Sequence, residues 1–354
     1  MLMKSIRDFV LRDLRVLVRS DFNIPLGERG DVLNDFRIVQ ALPTIKYLVQ
    51  EKARVILMSH LGKPEGQVVE KLKMYFVQES LVKYLGKTVA KAQDCIGPEV
   101  KSLVSNLQAG EVLLLENLRF HPEEEGNDEN FAKELASLGE LYINDAFSAS
   151  HRNHASVAGV PKFLPAGIGL LMEKELSHLE RFSKHPARPF VVIIGGLKVK
   201  DKLAFVNDIS KVADTVLIGN LIAREARAEG VVFQNPEKVV FPVDGVPGNG
   251  DEFDIGPKTV KLFLEKLKYA KSVFWTGPLG WVSEEEYAKG SMTIARSIVE
   301  SKAFAVAGGG NLSAFLGEKG LRDQFSFVST GGGASLAFLA GEKLPGLEAL
   351  GYYG

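Results

Sequence analysis

An apolar run, Val191-Val192-Ile193-Ile194, ends in Gly195-Gly196, and Lys198, Lys200 and Lys202 follow within six residues. Consecutive β-branched residues predict a buried strand of a parallel sheet. The two glycines permit a tight turn and close approach of backbone to a ligand. The lysines then stand at or near the start of a helix, where backbone N–H groups already favour anions. The chemistry this spacing suits is phosphate binding at the carboxyl end of a strand. The plainer alternative is an ordinary βα turn with a solvated basic face.

Two further groups of residues have the same character. Asp21 and Asn23 follow one apolar run; Ser59, His60 and Lys63 follow another; Glu116, Asn117 and Arg119 a third; Asn144, Asp145, His151 and Arg152 a fourth. Ligands of open α/β sheets bind at the carboxyl ends of strands, so Arg37, His60, Lys63, Arg119, His151 and Arg152 are expected to face one crevice. Such a set suits a small, multiply charged anion, because arginine pairs bidentately with phosphate and carboxylate. In the second half of the chain glycine takes the equivalent places: Gly195-Gly196, Gly277-Pro278-Leu279-Gly280, Gly308-Gly309-Gly310 and Gly331-Gly332-Gly333. Free N–H groups at such turns cradle a phosphate or a transferring phosphoryl group.

Positioning these groups requires strands and helices in alternation, and the hydrophobic pattern supplies them. Strands are expected at Arg15 to Asp21, Val55 to Ser59, Val112 to Glu116 and Leu141 to Asp145, with helices at Ile38 to Lys52, Val69 to Leu85 and Phe131 to Leu138. A second series of strands follows at Val191 to Ile194, Thr215 to Ile218, Val239 to Pro242, Val273 to Trp275 and Ala303 to Val306. This alternation implies right-handed βαβ units. Between the series, Gly169 to Phe182 is strongly helical and Pro186 and Pro189 come soon after. It reads as a helix joining two α/β domains.

The chain has 354 residues, 45% hydrophobic and 25% charged, enough for about two domains with ordinary cores. With 43 basic and 44 acidic residues there is no global field for nucleic acid or an anionic membrane, so any basic site is local. The single cysteine, Cys95, rules out an intramolecular disulfide or a cysteine-cluster metal site. No stretch reads as a signal peptide or a membrane span, and a cytoplasmic monomer is the expected state. A P-loop is missing, because Leu81 stands where the first glycine before Gly86-Lys87-Thr88 should be. No Gly-x-Gly-x-x-Gly follows the first strand of either half, which counts against a dinucleotide dehydrogenase.

Taken in order, the motifs resemble the phosphoglycerate kinase family from about Val10 to Leu350. They are Arg19-Ser20-Asp21-Phe22-Asn23-Ile24-Pro25-Leu26, Ser59-His60-Leu61-Gly62-Lys63-Pro64, Leu115 to Phe120, Asn144-Asp145-Ala146-Phe147, His151-Arg152, Gly195 to Val199, Asp254-Ile255-Gly256-Pro257, Gly277-Pro278 and Ser329 to Ala334. The resemblance implies an α/β fold with two Rossmann-like three-layer α/β/α domains, parallel sheets, a joining helix and an interdomain cleft that closes on a hinge. It implies a phosphoglycerate-binding domain over residues 1–168, a joining helix over 169–186, a nucleotide-binding domain over 187–338 and a tail over 339–354 that returns to the first domain.

By the same resemblance, Asp21, Asn23, Arg37, His60, Lys63, Arg119, His151 and Arg152 hold 3-phosphoglycerate or 1,3-bisphosphoglycerate. Gly195, Gly196, Lys202, Gly219, Pro278, Gly309, Gly310, Asn311 and Leu312 hold ADP or ATP with Mg²⁺. Arg37, Lys198 and the backbone of Gly331, Gly332 and Gly333 serve the transferring group. The acceptor would be a carboxylate, ionised near neutral pH, so no general base is needed and catalysis rests on alignment and charge neutralisation.

The chain also departs from the family pattern. Lys63 replaces an arginine, and Ser148-Ala149-Ser150 replaces the usual Gly-Thr-Ala. Asn311-Leu312 stands in place of Asp-Thr, so the usual Mg²⁺ ligand is neutral here. Thr276 replaces an asparagine, and Ser283 falls where a ribose-binding glutamate is expected, with Glu284 beside it. Glu252 stands where a glycine is usual, Gly219-Asn220 shortens a glycine run, and the segment between Gly230 and Asp254 lacks roughly a helix. Two readings follow: a trimmed kinase, or a homologue that binds phosphoglycerate or serves as a scaffold without Mg–nucleotide.

Overall fold

The structure, a computed structural model, describes residues 3–28, 30–196, 199–247 and 252–354, without the side chains of 199–202. The chain forms two compact units. One takes the described residues up to Glu175 together with Lys343–Gly354, and the other takes Leu176–Glu342.

In unit 1 the strands are β1 (Arg15–Arg19), β2 (Arg54–Met58), β3 (Ala90–Lys91), β4 (Val112–Leu114), β5 (Leu141–Asn144) and β6 (Ala166–Ile168). They form one sheet in the order β3-β4-β2-β1-β5-β6, and every pairing is parallel. The crossovers run through α1 (Phe36–Gln50), α2 (Tyr75–Leu85), α3 (Pro98–Asn106), α4 (Pro122–Glu125) and α5 (Glu129–Ala136). Val16, Leu17 and Val18 are all buried, as a strand covered on both faces requires. The order reverses between β1 and β5, so their carboxyl ends frame a crevice at a topological switch point.

The boundary between the units falls within α6 (Leu170–Ser183), and unit 2 begins at Leu176. Its strands are β7 (Phe190–Ile194), β8 (Thr215–Ile218), β9 (Val239–Val240), β10 (Gly245–Val246), β11 (Asp254–Ile255), β12 (Ser272–Thr276), β13 (Phe304–Gly308) and β14 (Phe327–Ser329). Six of them form a parallel sheet in the order β14-β13-β12-β7-β8-β9, while β10 and β11 pair as a separate antiparallel hairpin. The helices are α7 (Val199–Val212), α8 (Asn220–Ala228), α9 (Pro257–Leu267), α10 (Lys289–Ser301), α11 (Gly310–Glu318) and α12 (Gly332–Leu339). A last short helix, α13 (Pro345–Glu348), belongs to unit 1, where Gly346 N–H donates to Ser150 O at 2.9 Å and Leu347 is fully buried. The switch point of this sheet lies between β7 and β12.

Two parallel α/β sheets are therefore present, as the alternation of patterns implies. The expected helix from Val69 breaks into a 3₁₀ turn, Glu70–Leu72, ahead of α2. The strands β3 and β6 and the β10–β11 hairpin go beyond the sequence reading. With only two or three residues each, they carry no readable periodicity.

The start of α6 is held by a carboxylate just past β5. Asp145 Oδ1 accepts from the backbone N–H of Leu171 at 3.0 Å and of Met172 at 3.1 Å. Complete burial pushes the Asp145 carboxyl up to about 6 despite these bonds and one from Thr44. The folded state thus keeps a proton that the unfolded chain loses near pH 4. Stability from this group is greatest below that pH and declines as pH rises through about 6, at a cost on the order of 3 kcal/mol. Asp145→Asn keeps the acceptor and removes the charge. It should raise the urea midpoint at pH 8 and leave it nearly unchanged at pH 3.5; equal destabilisation at both pH values would refute this account.

Candidate functional site

In unit 1, β1 ends in Arg19, which is 1% exposed and follows the apolar run Val16-Leu17-Val18. Its guanidinium donates through Nε to Ser156 Oγ at 2.8 Å and through Nη2 to His60 Nδ1 at 3.0 Å. Arginine can only donate, so Nδ1 of His60 is the acceptor and Nε2 carries the proton. Burial, reinforced by Arg19, Arg119 and Arg37, holds the His60 pKa well below the usual imidazole range. His60 is therefore a neutral donor.

Asp21 is buried beside it. Burial alone would raise its pKa, but Arg37, whose Nη1 lies 2.9 Å from Oδ2, acts together with His60 and with hydrogen bonds from Ser148 and the Asn23 N–H to keep the carboxylate ionised. Arg37 Nη1 donates as well to Asn23 O at 3.0 Å, and Asn23 Oδ1 accepts from Gly62 N–H at 2.9 Å. Thus Asp21, Asn23, Arg37 and His60 form one connected group from the ends of β1 and β2 and the first turn of α1.

Arg119 enters from the 3₁₀ turn after β4. Its Nη1 donates to Gly62 O at 2.8 Å, and Nε makes a charge contact of 3.0 Å with Glu125. Its Nη2 is buried with no hydrogen-bond partner among the described residues. Burial, together with repulsion from Arg152 and Arg19, lowers the Arg119 pKa. Arg152 is half-buried, while His151 and Lys63 are exposed. His151 reaches solvent, yet the surrounding protein, with Arg152 and His154, lowers its pKa to about 4, so it too is neutral. The eight expected residues gather at one end of the sheet, with more guanidinium charge than carboxylate can balance.

Three contributors carry no assigned role in the sequence reading: Arg19, Ser148 and Glu124. Glu124 is fully buried, with its two oxygens accepting from Ser156 N–H at 2.9 Å and Ser156 Oγ at 2.6 Å. Burial opposes its charge, but His154, Arg19 and Ser156 together lower its pKa, so it is the buried counter-charge behind Arg19. An arginine ending an apolar strand was the available signal for Arg19. Glu124 sits among Glu123 and Glu125 and had none.

In unit 2 a cavity of about 770 Å³ opens at the carboxyl ends of β7, β8, β12 and β13. Gly196, Gly219, Pro278 and Asn311 line it, as do Asn220, Glu252, Phe253, Trp281 and Ser283. Gly277 has φ +72°, and a Cβ there would lie 2.3 Å from Gly195 O; a Cβ on Gly195 would lie 2.3 Å from Pro278 O. The turns after β7 and β12 therefore meet backbone to backbone at the switch point, and only glycine fits both positions. Gly309 and Gly310 begin the turn into α11, and Gly331, Gly332 and Gly333 the turn into α12. Leu312 is fully buried and is absent from the cavity lining, because on α11 it turns toward the core. Lys198, and the side chain of Lys202, lie outside the described residues.

An arginine-rich crevice on one parallel sheet and glycine turns around a cavity on another are the parts of a phosphotransferase, and this is a kinase of the α/β class. The chain belongs to the phosphoglycerate kinase family. The family model described as phosphoglycerate kinase matches residues 6–231 and 221–342. The phosphoglycerate kinase of Pelotomaculum thermopropionicum is 44% identical over 388 aligned positions, covering 98% of both chains. That of Moorella thermoacetica is 42% identical, also over 98% of both chains. Among solved structures, phosphoglycerate kinase from Pyrococcus horikoshii matches with a TM-score of 0.88 at 30% identity, covering 99% of this chain and 98% of that one.

Proposed function

We propose that the protein catalyses reversible phosphoryl transfer between 1,3-bisphosphoglycerate and ADP, giving 3-phosphoglycerate and ATP. The observation that carries this reading is the unpaired, buried Nη2 of Arg119 within a group of arginines and neutral histidines. Such a group lacks a multiply charged anion to complete it. Asp21 fixes Arg37, Arg19 fixes the tautomer of His60, and Glu125 and Gly62 fix Arg119, so these donors are oriented before a ligand arrives. Arg37, Arg119, Arg152 and Lys63 would neutralise the phosphate and carboxylate, with His60 and His151 as uncharged donors. The acceptor oxygen of 3-phosphoglycerate is a carboxylate, ionised near neutral pH, and needs no general base.

Mg²⁺ enters this scheme as part of the nucleotide substrate. The oxygen donors of the cavity suit that: Asn311 offers a neutral amide oxygen at the start of α11, and Glu252 also lines the walls. Mg²⁺ is commonly held by substrate phosphates with few protein ligands, so a neutral side chain suffices. The glycine turns would bind the nucleotide phosphates through N–H groups, and Gly331, Gly332 and Gly333 the group in transfer, with Lys198 and Lys202 supplying charge. Leu312 would contribute packing beneath α11 in place of ligand contact.

The test is ATP-dependent phosphorylation of 3-phosphoglycerate, with Mg²⁺ and with EDTA. Turnover that depends on Mg²⁺ is expected, and none at saturating nucleotide would overturn the proposal. Arg119→Ala should raise the KM for 3-phosphoglycerate by about 30-fold, the worth of one charged hydrogen-bonding partner of about 2 kcal/mol. An unaltered KM would remove Arg119 from the substrate site.

A further inference from the structure

A single cysteine excludes a cysteine-cluster metal site, but it leaves room for a mixed one. The fold of unit 1 brings Cys95 together with Asp94 and His121, whose sulfur, carboxylate oxygen and ring nitrogen all lie within 4.8 Å of one another. Among the described residues no other three His, Cys, Asp or Glu side chains form such a group. Asp94 and Cys95 sit in the loop between β3 and α3, and His121 precedes α4 after the 3₁₀ turn Leu118–Phe120 that follows β4. β3 and β4 are parallel neighbours, so both loops leave the same end of the sheet.

Each side chain is placed by contacts of its own. Glu116 N–H donates to Asp94 O at 3.2 Å, which ties the first loop to the end of β4, and Cys95 N–H donates to Asp94 Oδ1 at 2.6 Å. His121 N–H donates to Leu118 O at 3.2 Å, and its ring lies against Phe131 with centroids 5.2 Å apart. His121 Nε2 is 2.7 Å from Asp94 Oδ1. Cys95 is fully buried, while the side chains of Asp94 and His121 are 52% and 25% exposed. The group is closed behind the sulfur and open to solvent on the carboxylate side, which gives an ion a way in and a place for water.

We propose that Asp94, Cys95 and His121 form a binding site for one borderline-soft divalent ion of the zinc class, with water as the fourth ligand. The donor set decides the metal. Thiolate and imidazole suit Zn²⁺, whereas Mg²⁺ takes oxygen ligands in an octahedron, so this site is separate from the Mg²⁺ that accompanies nucleotide. A zinc tetrahedron with such ligands has edges of about 3.5 Å, and shifts of about 1 Å assemble it from the separations present. On binding, the Cys95 thiol proton leaves to solvent, and the metal takes the place of the hydrogen between His121 Nε2 and Asp94 Oδ1. The bound ion joins the loops after β3 and β4 and braces the turn that carries Arg119.

The one cysteine makes the test selective. Co²⁺ reports its ligands by colour: a thiolate gives a near-ultraviolet charge-transfer band, and a four-coordinate ion gives strong visible bands. Co²⁺ titrated into the reduced, intact protein, stripped with EDTA and dialysed, should produce both, saturating at one ion per chain. Zn²⁺ should then displace it and bleach the colour. The thiolate band can arise only at Cys95. His121→Asn should weaken Co²⁺ binding by about a hundred-fold or more, because even the hydrogen-bond partners of metal ligands are worth about ten- to a hundred-fold. Asp94→Asn, at an exposed position, should weaken it about ten-fold. Zn²⁺ at about a hundred times its Kd should raise the Tm of the parent by about 5 °C or more, and that of His121→Asn by less than about 1 °C. Metal uptake without the thiolate band, a band that survives His121→Asn unweakened, or no uptake up to about 1 mM Co²⁺ overturns the site.

Discussion

Gly277→Ala is expected to abolish most nucleotide-dependent turnover, lowering kcat/KM for Mg–ADP by about a hundred-fold. The added methyl would meet Gly195 O at 2.3 Å and Gly195 C at 2.7 Å, both backbone atoms that cannot rotate away. It would also hold an alanine at φ +72°, a left-handed conformation that costs an L-residue about 1 kcal/mol before any clash is counted. The turns after β7 and β12 must then separate, moving the N–H groups that would bind phosphate. Thermal unfolding should show unit 2 destabilised by about 3 kcal/mol or more. Activity and stability within two-fold and about 0.5 kcal/mol of the parent would show that the two turns can part without consequence.

The second large effect is expected from Glu124→Gln. This change keeps the shape of the side chain and removes the buried negative charge behind Ser156 and Arg19. Uncovering a buried guanidinium typically costs about 3 kcal/mol or more. The urea midpoint should therefore fall, and the KM for 3-phosphoglycerate should rise as Arg19 shifts and releases His60. The sign of the pH dependence adds a check. Glu124 has a lowered pKa in the folded state, so its contribution is present above the ordinary glutamate range and lost as pH falls through the folded value. The gap between parent and Glu124→Gln should narrow on acidification. A variant as stable as the parent at pH 7 would mean that Arg19 needs no counter-charge.

How much of this was legible in the sequence differs between the two units. Strands such as Thr215–Ile218 and Arg15–Arg19 were readable because long β-branched or apolar runs end in polar or glycine punctuation. The placement of His60, Arg119, His151 and Arg152 at one end of the sheet was readable because arginine and histidine are conspicuous after strands. The supports of that site were not: Ser148 and Glu124 act through tertiary hydrogen bonds at sequence separations of 127 and 32 residues, which no local pattern encodes. In unit 2 the glycine turns were visible, but Leu312 illustrates the limit. Its neighbour Asn311 lines the cavity while Leu312 faces the core. Successive helical residues point about 100° apart, so proximity in sequence did not carry a shared role. The group of Phe253, Trp281 and Tyr287 was hidden for a different reason: Phe253 and Trp281 are 28 residues apart and are joined by a backbone hydrogen bond beyond any periodic element.

The docking of α13 on unit 1 has a consequence for synthesis on the ribosome. Residues 343–354 are part of unit 1, yet the whole of unit 2 precedes them in the chain. Ser150 and Val157 must wait for Gly346 and Leu347 until Leu176–Glu342 has been translated. Unit 1 is the earlier to begin and the later to finish, while unit 2 is contiguous and can complete its core first. Domains are commonly expected to mature in the order of translation; here the order is inverted for the last step, and a nascent chain would carry an unsealed arginine-rich unit throughout the synthesis of its neighbour.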